Sequence, residues 1–310
     1  MLLNTSLFYN LIAIKTVGMY KSICHNWTST DRSFSIFREG RVPYEFEFWR
    51  EVMSNALNLN IAKQYITAEN MFADSYLINE CESTNALLKQ EFANNPISGA
   101  VLASLSQTKG RGTGDKAFHS PQGGIYFSFS LIDLSSNNQS LLTVAACVSV
   151  YEAIYETCNL DCLIKWVNDI YYNGKKLCGI LTENVDGGYI CGIGLNVFRA
   201  SDGLYPQKAG AIDDYIDERN IDINRLFAQI INRLEANLFY SSKEDVLEVY
   251  RRRSMLIGKT VSFRYSNEPM QGIAIGIDSS NAALLVQTGL ETIALTSGEA
   301  MIYGVDGNEL

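Results

Sequence analysis

Two short turn signals divide residues 163–197 into three β-strand patterns. Asn173-Gly174 is the first turn, and Asp186-Gly187-Gly188 is the second. Asparagine, aspartate and glycine adopt the backbone conformations that tight hairpin turns require, so each signal predicts a reversal between antiparallel strands. The three-stranded meander that results constrains the fold more than any other segment does. The strands are predicted at residues 164–172, 176–185 and 189–197.

Glycines also interrupt the predicted strands themselves, at Gly179, Gly192 and Gly194. Glycine inside a strand lowers stability unless it forms a bulge or lets another group approach the backbone closely. One interpretation is a bend in the sheet. The other is a flat ligand that lies across the sheet, and the pattern alone is compatible with both.

The flanking segments predict a mixed α/β chain. Residues 125–131 alternate apolar and polar side chains, which predicts a strand with one face in a core. Residues 140–158 and 222–251 carry apolar side chains at helical spacing. From residue 258 onward, short alternating strands separated by polar turns predict a small β-barrel. In the N-terminal part, the clearest pattern is a helix at residues 43–59.

The chain of 310 residues is longer than one hydrophobic core usually fills, so two or three structural units are expected. Its net charge of −9 argues against a general affinity for nucleic acids or anionic membranes. No run approaches the roughly 18 apolar residues of a membrane span. We therefore expect neither a nucleic acid nor a membrane as a partner.

Seven cysteines, an odd number without a Cys-x-x-Cys pair, indicate reduced thiols and a cytoplasmic protein. The two histidines of the sequence, His25 and His119, are not part of a cluster with the spacing of a structural metal site. No metal bound directly by protein side chains is therefore predicted.

A glycine-rich segment at residues 107–116 contains Gly-Arg-Gly at residues 110–112, and a Lys-Trp-Val-Asn-Asp run begins at Lys165. The backbone N–H groups of such a loop, with a guanidinium and ammonium groups beside them, can surround an anion. A flexible surface turn is the alternative for the glycine-rich segment taken alone. Together the two runs predict a site for a carboxylate or for phosphates.

Five motifs, in this order, resemble the biotin protein ligase family. They are Ser83-Thr84-Asn85, the glycine-rich segment with Ser120-Pro121 after it, residues 165–169, residues 176–183 (Lys-Leu-Cys-Gly-Ile-Leu-Thr-Glu) and residues 192–196 (Gly-Ile-Gly-Leu-Asn). The resemblance extends from about residue 75 to the C-terminus. It implies a class II synthetase-like catalytic domain at residues 71–253, α/β (α+β) with a mixed, largely antiparallel sheet, and a C-terminal SH3-like β-barrel at residues 254–310.

Residues 1–70 lie outside this resemblance. Many family members carry an N-terminal helix-turn-helix that represses transcription, but this segment shows neither a basic recognition helix nor its turn. A helical extension that packs on the catalytic domain, or a partly disordered arm, is favoured over a DNA-binding domain.

The resemblance implies ATP-dependent attachment of biotin, through biotinyl-5′-adenylate, to a lysine of a biotin carboxyl carrier protein. Biotin, ATP and Mg²⁺ are then the small molecules involved, and a homodimer is compatible with the family. Rival functions are a biotin-responsive transcriptional repressor, a lipoate or octanoate transferase and a catalytically inactive biotin-binding protein. The intact Arg111 and Lys165 argue against the last of these.

The roles of individual residues follow from the motifs that match. Lys165 is expected to bridge the biotin carboxylate and the α-phosphate of ATP, and Arg111 to order the loop over the intermediate. Asp169 is expected to hold Mg²⁺ through water, or to help deprotonate the carrier lysine. The other predicted binding residues are Ser83, Thr84 and Asn85 at the ureido end, Gln107, the loop residues Gly110, Gly112 and Thr113, then Asn168, Gly179 and Gly194, with Asn196 on the nucleotide side.

Three positions depart from the family pattern. Thr113 stands where many members have an arginine, Phe118 where a tryptophan is common, and Val167 where a proline is common. A missing cation at Thr113 would weaken the hold on the adenylate. The hypothesis is that the adenylate escapes more readily than from arginine-bearing relatives and labels bystander lysines, unless Lys109 or Lys116 substitutes.

Overall fold

The computed structural model describes residues 56–72, 74–114, 116–132, 139–200, 206, 208–266, 268–296 and 300–309. The chain divides into two units, residues 1–54 and 55–310, and all the described residues belong to the second. The predicted helix at residues 43–59 lies almost wholly outside the described residues. The question of an N-terminal DNA-binding segment lies outside them as well.

A seven-stranded sheet dominates the described unit. Its strands are β1 (Ser75–Cys81), β2 (Val101–Gln107), β3 (Ile125–Ile132), β4 (Leu163–Lys165), β5 (Asp169–Tyr172), β6 (Lys175–Val185) and β7 (Gly188–Leu195). They lie in the order β1-β2-β3-β7-β6-β5-β4, in which β1 and β2 are parallel and all other neighbours are antiparallel. The expected mixed, largely antiparallel α/β fold is confirmed.

Both predicted hairpin turns are confirmed. Asn173 and Gly174, with φ angles of 45° and 74°, join β5 to β6, and Gly187, with a φ angle of 79°, lies in the turn from β6 to β7. The single strand predicted at residues 164–172 is wrong. It is two short strands, β4 and β5, which pair antiparallel with Lys165 opposite Asp169.

Residues 166–168 break this strand because they turn toward other elements of the protein. The indole N–H of Trp166 donates to the carbonyl of Ala282 (2.9 Å), and the carbonyl of Val167 accepts from the hydroxyl of Tyr250 (3.1 Å). The Trp166–Val167 peptide bond is cis. Backbone groups engaged elsewhere cannot continue the ladder, so the chain reverses here.

Helices cover both faces of the sheet. The short helix α1 (Leu59–Ala62) precedes β1, and α2 (Thr84–Asn94) packs on one face. On the other face lies α3 (Gln139–Cys158), with α4 (Ile223–Glu235) and α5 (Lys243–Arg252) packed against it. The helices predicted at residues 140–158 and 222–251 are thus confirmed, the second as two helices joined by a π-helical turn at Ala236–Tyr240.

The central helix α3 is apolar around most of its circumference. By length and composition it is the one helix of the described residues that could span a membrane. Within the protein, 72% of its apolar window is buried, between the sheet and α4. Its apolar side chains are accounted for by this core position.

Strand β3 is buried on both faces, so the expected single buried face is wrong. Phe127 and Phe129 point into the large core on the α3 side. On the opposite face the Ser130 hydroxyl donates to the carbonyl of Ile97 (2.6 Å), and Ser128 is fully buried beneath α2. An alternating pattern cannot distinguish polar groups satisfied inside the protein from polar groups in water.

The C-terminal residues form a second sheet, of six antiparallel strands. These are β8 (Thr260–Tyr265), β9 (Glu268–Ile277), β10 (Leu284–Thr288), β11 (Glu291–Leu295), β12 (Ala300–Val305) and β13 (Asn308–Glu309), in the order β11-β10-β9-β8-β12-β13. A C-terminal β domain is present as expected. Its likeness to an SH3 barrel, and the domain boundaries after residues 70 and 253, stay predictions.

Strand β9 departs from a regular alternation of buried and exposed side chains. Ile273 and Ile275 are about half exposed, whereas Ala274 is fully buried. The pairing with β10 is irregular between Leu285 and Val286. An extra residue at such a bulge changes which side chains point inward, and a regular alternation does not reveal it.

The six cysteines among the described residues are free thiols. Burial raises the pKa of every one of them, so they stay protonated and poorly reactive at neutral pH. They are Cys81, Cys147, Cys158, Cys162, Cys178 and Cys191.

A buried carboxylate, Glu235 at the end of α4, anchors the residues that precede β1. It accepts hydrogen bonds from the backbone N–H groups of Glu69 (2.8 Å), Asn70 (2.7 Å) and Met71 (2.9 Å), and it is only 4% exposed. Burial alone would raise the pKa of this carboxyl, but the hydrogen bonds outweigh burial and hold the pKa below its ordinary value of 4.5. The ionised form therefore stabilises the fold.

The substitution Glu235→Gln is expected to lower the free energy of unfolding by about 2–4 kcal/mol at neutral pH, because a neutral amide replaces a buried charged acceptor. Since the folded-state pKa lies below the unfolded one, the stabilisation is complete above the unfolded pKa and is lost as the pH falls through the folded one. The difference between wild type and variant should therefore shrink as the pH falls below the ordinary carboxyl pKa of 4.5 and through the lower folded-state pKa. Urea unfolding of both proteins at neutral and at acidic pH measures this difference in the free energy of unfolding.

A matched control is Glu156→Gln. Glu156 is an exposed carboxylate that pairs with Arg233 on the surface, so its loss should cost less than about 1 kcal/mol. Equal losses in the two variants, or a difference that does not change with pH, would contradict the anchoring role of Glu235.

Candidate active site

Cross-strand pairing places the central predicted residues on one face of the seven-stranded sheet. Residues directly opposite each other in a ladder point to the same side. An unbroken row of such partners runs from Ser104 in β2 through Tyr126, Gly194, Gly179 and Asp169 to Lys165 in β4. The row has two hydroxyl side chains at one end, two glycines in the middle and two charged side chains at the other end. It forms a trough in the sheet surface, on the side covered by α2.

The N-terminus of α2 forms the polar end of the trough. Ser83 is the helix N-cap and accepts from the N–H of Ala86. The backbone N–H of Thr84 donates to Gln107 Oε1 (2.8 Å), and the Thr84 hydroxyl lies 3.2 Å from the same oxygen. Gln107 Nε2 donates to the hydroxyl of Ser120 (2.9 Å). The second hydrogen of this amide has no partner among the described residues.

Asn85 is held by the protein on three sides. Its Nδ2 donates to the Leu181 carbonyl (3.1 Å) and to Glu183 Oε2 (2.7 Å), and its Oδ1 accepts from the Ser128 hydroxyl (2.6 Å). A Cβ at Gly192 would lie 2.0 Å from the same Oδ1. Gly192 is therefore required by Asn85 itself, and a ligand is not needed to explain this glycine.

The glycine-rich segment is a closed hairpin and not a free surface turn. Gln107 and Ser120 pair at its base, and Arg111 and Ala117 pair nearer its tip. The N–H of Gly112 donates to the Lys116 carbonyl within this hairpin (2.7 Å).

Gly110 lies at the base of the hairpin and is buried. A Cβ at this position would lie 2.3 Å from the carbonyl oxygen of Phe118 and 2.7 Å from the hydroxyl of Ser120. Because no side chain fits between these atoms, Gly110 lets the two arms of the hairpin approach closely.

The ring of Phe118 lies on the glycine floor of the trough. A Cβ at Gly194 would be 2.5 Å from this ring, and one at Gly179 would be 3.1 Å from it. The ring also makes an edge contact with Tyr126, and Lys176 Nζ lies 5.9 Å from its centre. The two glycines thus make room for an aromatic side chain of the loop, in the place where the sequence pattern suggested a flat ligand.

Thr113 ties the tip of the hairpin to the far side of the trough. Its hydroxyl accepts from Asn168 Nδ2 (3.1 Å), and the same Nδ2 donates to the carbonyl of Ile180 (2.7 Å). Asn168 lies in the turn between β4 and β5, so the hairpin crosses the trough from its base at β2. Asn168 serves as the point of attachment.

Two lysines and one carboxylate form the charged end of the trough. Asp169 pairs with Lys176 (2.6 Å), and Lys165 is its neighbour across the β4–β5 ladder. Burial lowers the pKa of Lys165 below its ordinary value of 10.5; Asp169 opposes this, and Lys176, Lys116 and Lys208 lower the pKa further. An anion bound here would relieve the repulsion among these ammonium groups.

A cleft open to solvent extends from the polar end over the glycine positions of the trough. Among the described residues, no carboxylate pairs with the exposed guanidinium of Arg111, which lines this cleft. Lys165, Asn168 and Asp169 do not line the cleft itself and lie at the charged end. The predicted residues that do line it are Ser83, Thr84, Asn85, Gln107, Arg111, Gly179 and Gly194.

Asn196 lies apart from the cleft. It is 5% exposed, its Nδ2 donates to the carbonyl of Gly210 (2.9 Å), and its own carbonyl accepts from the N–H of Ile212 (3.2 Å). The residue therefore anchors the chain that follows β7. Its Oδ1 is buried without a partner among the described residues, and its predicted nucleotide role stays a prediction.

Three functional residues were missed by the sequence analysis. Ser120 and Ser128 hold the side chains of Gln107 and Asn85, and Lys176 pairs with the carboxylate at the charged end. For Ser128, the usable signal was the presence of serines inside a strand that is otherwise strongly apolar. For Lys176 the signal was its position at the start of a motif already matched to the family.

Residues 77–197 match the model of the biotin/lipoate A/B protein ligase family. The biotin–[acetyl-CoA-carboxylase] ligase of Mycobacterium tuberculosis is 27% identical over 252 residues, which are 78% of this chain and 94% of that protein. The bifunctional ligase/repressor BirA of Bacillus subtilis is 29% identical over 205 residues, which are 62% of this chain and 63% of that protein.

Solved structures show the same likeness. The biotin protein ligase of Aquifex aeolicus in complex with biotin and ATP has a TM-score of 0.66 and 26% sequence identity. The match covers 74% of this chain and 99% of that one.

The substitution Thr113→Val is expected to loosen the tip of the hairpin, because valine keeps the shape of threonine and removes the acceptor for Asn168. A net hydrogen bond of about 0.5–1.5 kcal/mol corresponds to a roughly 2- to 12-fold increase in the open population. The initial rate of trypsin cleavage at Lys109, Arg111 and Lys116 should rise by that factor, since cleavage follows the open form.

Thr113→Ser retains a hydroxyl and should be cleaved like the wild type. Thr108→Val is the matched control, because the Thr108 hydroxyl makes no hydrogen bond within the described part of the chain. Unchanged cleavage of Thr113→Val, or equal acceleration of both valine variants, would show that the Asn168 contact does not hold the tip.

Proposed function

We propose that this chain is a biotin protein ligase, which attaches biotin to a lysine of a biotin carboxyl carrier protein with consumption of ATP. The observation that carries this proposal is the trough, in which one row of sheet partners leads from the hydroxyl and amide end to Asp169 and Lys165, with Lys176 paired to Asp169. The activity of the mycobacterial relative and the ligands of the Aquifex structure support it.

The first half-reaction joins the biotin carboxylate to the α-phosphate of ATP, giving biotinyl-5′-adenylate and pyrophosphate. The two reacting groups are both anions, so the site must supply fixed positive charge before they meet. Lys165 and Lys176 stand on either side of Asp169 and meet that need. Lys165 bridges the carboxylate and the α-phosphate, and Lys176 approaches the same anions from β6.

The polar end suits a ureido ring, which has one carbonyl acceptor and two N–H donors. The Ser83 hydroxyl and the remaining N–H of Gln107 can donate to the carbonyl. The Thr84 hydroxyl and the second lone pair of Asn85 Oδ1 can accept from the ring N–H groups. The dithiolane ring of lipoate has no such groups and would leave these polar atoms unpaired, which favours biotin over lipoate.

Arg111 reaches the cleft from the hairpin that covers the trough. A guanidinium there can pair with the carboxylate or phosphate oxygens and hold the hairpin down over the adenylate. The contact from Thr113 to Asn168 keeps the same hairpin attached at its tip.

The charged end also fits a magnesium ion that arrives with ATP. Mg²⁺ accepts one or two carboxylates together with phosphate oxygens and water, and Asp169 supplies such a carboxylate. Its partner Lys176 would have to move to a substrate anion to free it. The ion would then neutralise part of the phosphate charge.

In the second half-reaction a carrier lysine attacks the adenylate carbonyl, an amide bond forms and AMP leaves, which needs no nucleophile from this chain. Asp169 is the candidate for accepting the proton of that lysine.

A cytoplasmic location agrees with the free thiols of the described part. A homodimer is proposed from the family resemblance alone.

The deciding experiment is to incubate the protein with ATP, Mg²⁺ and a biotin carboxyl carrier domain, with biotin or lipoate added in separate reactions. Mass spectrometry of the carrier should show the addition of one biotinyl group, and no addition with lipoate. Modification by lipoate alone, or no modification by either, would overturn the proposal.

Replacing the bridging lysine, in Lys165→Ala, should lower the rate of adenylate formation by at least roughly 10²-fold, by analogy with the loss of one group that stabilises a transition state. Biotin-dependent exchange of pyrophosphate into ATP measures this step alone.

The control is Lys259→Ala, which removes a lysine that pairs with Asp306 in the C-terminal sheet and should leave the exchange rate unchanged. Near-normal exchange by Lys165→Ala would refute the bridging role of Lys165 and leave Lys176 as the candidate.

A further inference from the structure

The C-terminal sheet contacts the β4–β5 hairpin through one buried hydrogen bond. The indole N–H of Trp166 donates to the backbone carbonyl of Ala282 at 2.9 Å, across 116 positions of sequence. Trp166 is 7% exposed and Ala282 is 1% exposed. Trp166 directly follows Lys165, and Ala282 lies in the turn between β9 and β10. The bond therefore joins the charged end of the trough to a turn of the second sheet.

The accepting turn has a fixed conformation. Asp278 Oδ1 accepts from the N–H groups of Ser280 (2.8 Å) and Asn281 (3.2 Å), and the Asp278 carbonyl accepts from the N–H of Ala282 (3.0 Å). The hydrogen bonds from Ser280, above all, hold the pKa of Asp278 below its ordinary range. Ala282 has a φ angle of 59°, in the left-handed region, and this conformation directs its carbonyl inward. Asp278 is the residue that stabilises it.

Other hydrogen bonds hold the residues on either side of Trp166. The N–H of Ile164 donates to the carbonyl of Arg253, and the carbonyl of Ile164 accepts from the N–H of Met255, both at 2.8 Å. These bonds fix β4 before Lys165, and the Tyr250 hydroxyl holds the carbonyl of Val167 after it. The Trp166 side chain fixes the position between them.

We propose that Trp166 is a positioning residue for adenylate formation, held in place by the β9–β10 turn. This inference rests on the function proposed above. Lys165 and Asp169 flank the turn that Trp166 fixes, so rotation of this turn would move both charges relative to the substrates. Such a displacement acts mainly on the chemical step, because the ureido end of the trough is built on α2 and β2.

Two variants remove the contact from opposite sides. Trp166→Phe keeps an aromatic ring and removes the N–H. Asp278→Ala loosens the turn that presents the carbonyl, and Asp278 does not line the cleft. In pyrophosphate exchange, each should lower kcat by roughly 5- to 20-fold, with the Kd for biotin changed less than about 2-fold, as expected for misplaced catalytic groups. The double variant should be no slower than Trp166→Phe alone, because both changes remove the same interaction.

The chain offers a matched control in Asp306→Ala. Asp306 also stabilises a turn of the C-terminal sheet, through the N–H of Thr260 (3.0 Å) and the ammonium of Lys259 (2.8 Å). Asp306→Ala should destabilise this sheet about as much as Asp278→Ala does, and it should leave kcat unchanged. A kcat effect of Asp306→Ala equal to that of Asp278→Ala, or additive effects of Trp166→Phe and Asp278→Ala, would overturn the inference.

A second measurement does not depend on the enzymatic activity. In nitrogen-15 spectra, the indole N–H of Trp166 is identified by its disappearance in Trp166→Phe. Its hydrogen exchange should be slow in the wild type, faster in Asp278→Ala and unchanged in Asp306→Ala. Equal exchange in the three proteins would refute the positioning contact. A wild type with slow indole exchange but without biotin-dependent pyrophosphate exchange would instead refute the proposed function.

Discussion

The register between β6 and its two neighbours determines where every group of the site points. Gly179 is opposite both Gly194 and Asp169, and this pairing places the bare backbone and the charges on the side of α2. A slip of β6 by one residue would turn Gly179 toward α3 and bring Ile180 into the cleft. Burial of Ile180 in the large core opposes the slip, and the tight turns at both ends of β6 oppose it as well.

Local chemistry made part of the fold predictable. The two hairpin turns follow from the backbone conformations that asparagine and glycine accept, and α3 follows from apolar spacing over many residues. The break at residues 166–168 was not predictable from the segment itself, because the contacts that hold it come from Tyr250 and Ala282. The two-sided burial of β3 depends on α2 in the same way.

The candidate site shows the same division between local and distant causes. The Ser-Thr-Asn motif, Gln107 and Arg111 meet at one cleft, as their order in the chain led us to expect. Lys176 and the ring of Phe118 were not foreseen as neighbours, because the sheet brings them together over a long separation in sequence. At Thr113 the sequence revealed a missing cation but not the hydroxyl contact to Asn168, so the hypothesis of easier adenylate escape now has an opposing interaction to overcome.

The hydrogen-bonded side chain of Asn85 closes one end of the trough. Neighbouring strands are roughly 4.8 Å apart, so the span from β7 to β4 is about 14 Å. A ring seated against α2 and a carboxylate drawn to Lys165 must be separated by an interval that the sheet sets in whole strand spacings. The sheet therefore fixes the length of the ligand that the site accepts. An acid with the same ring but a shorter or longer aliphatic chain would align only one of its two ends.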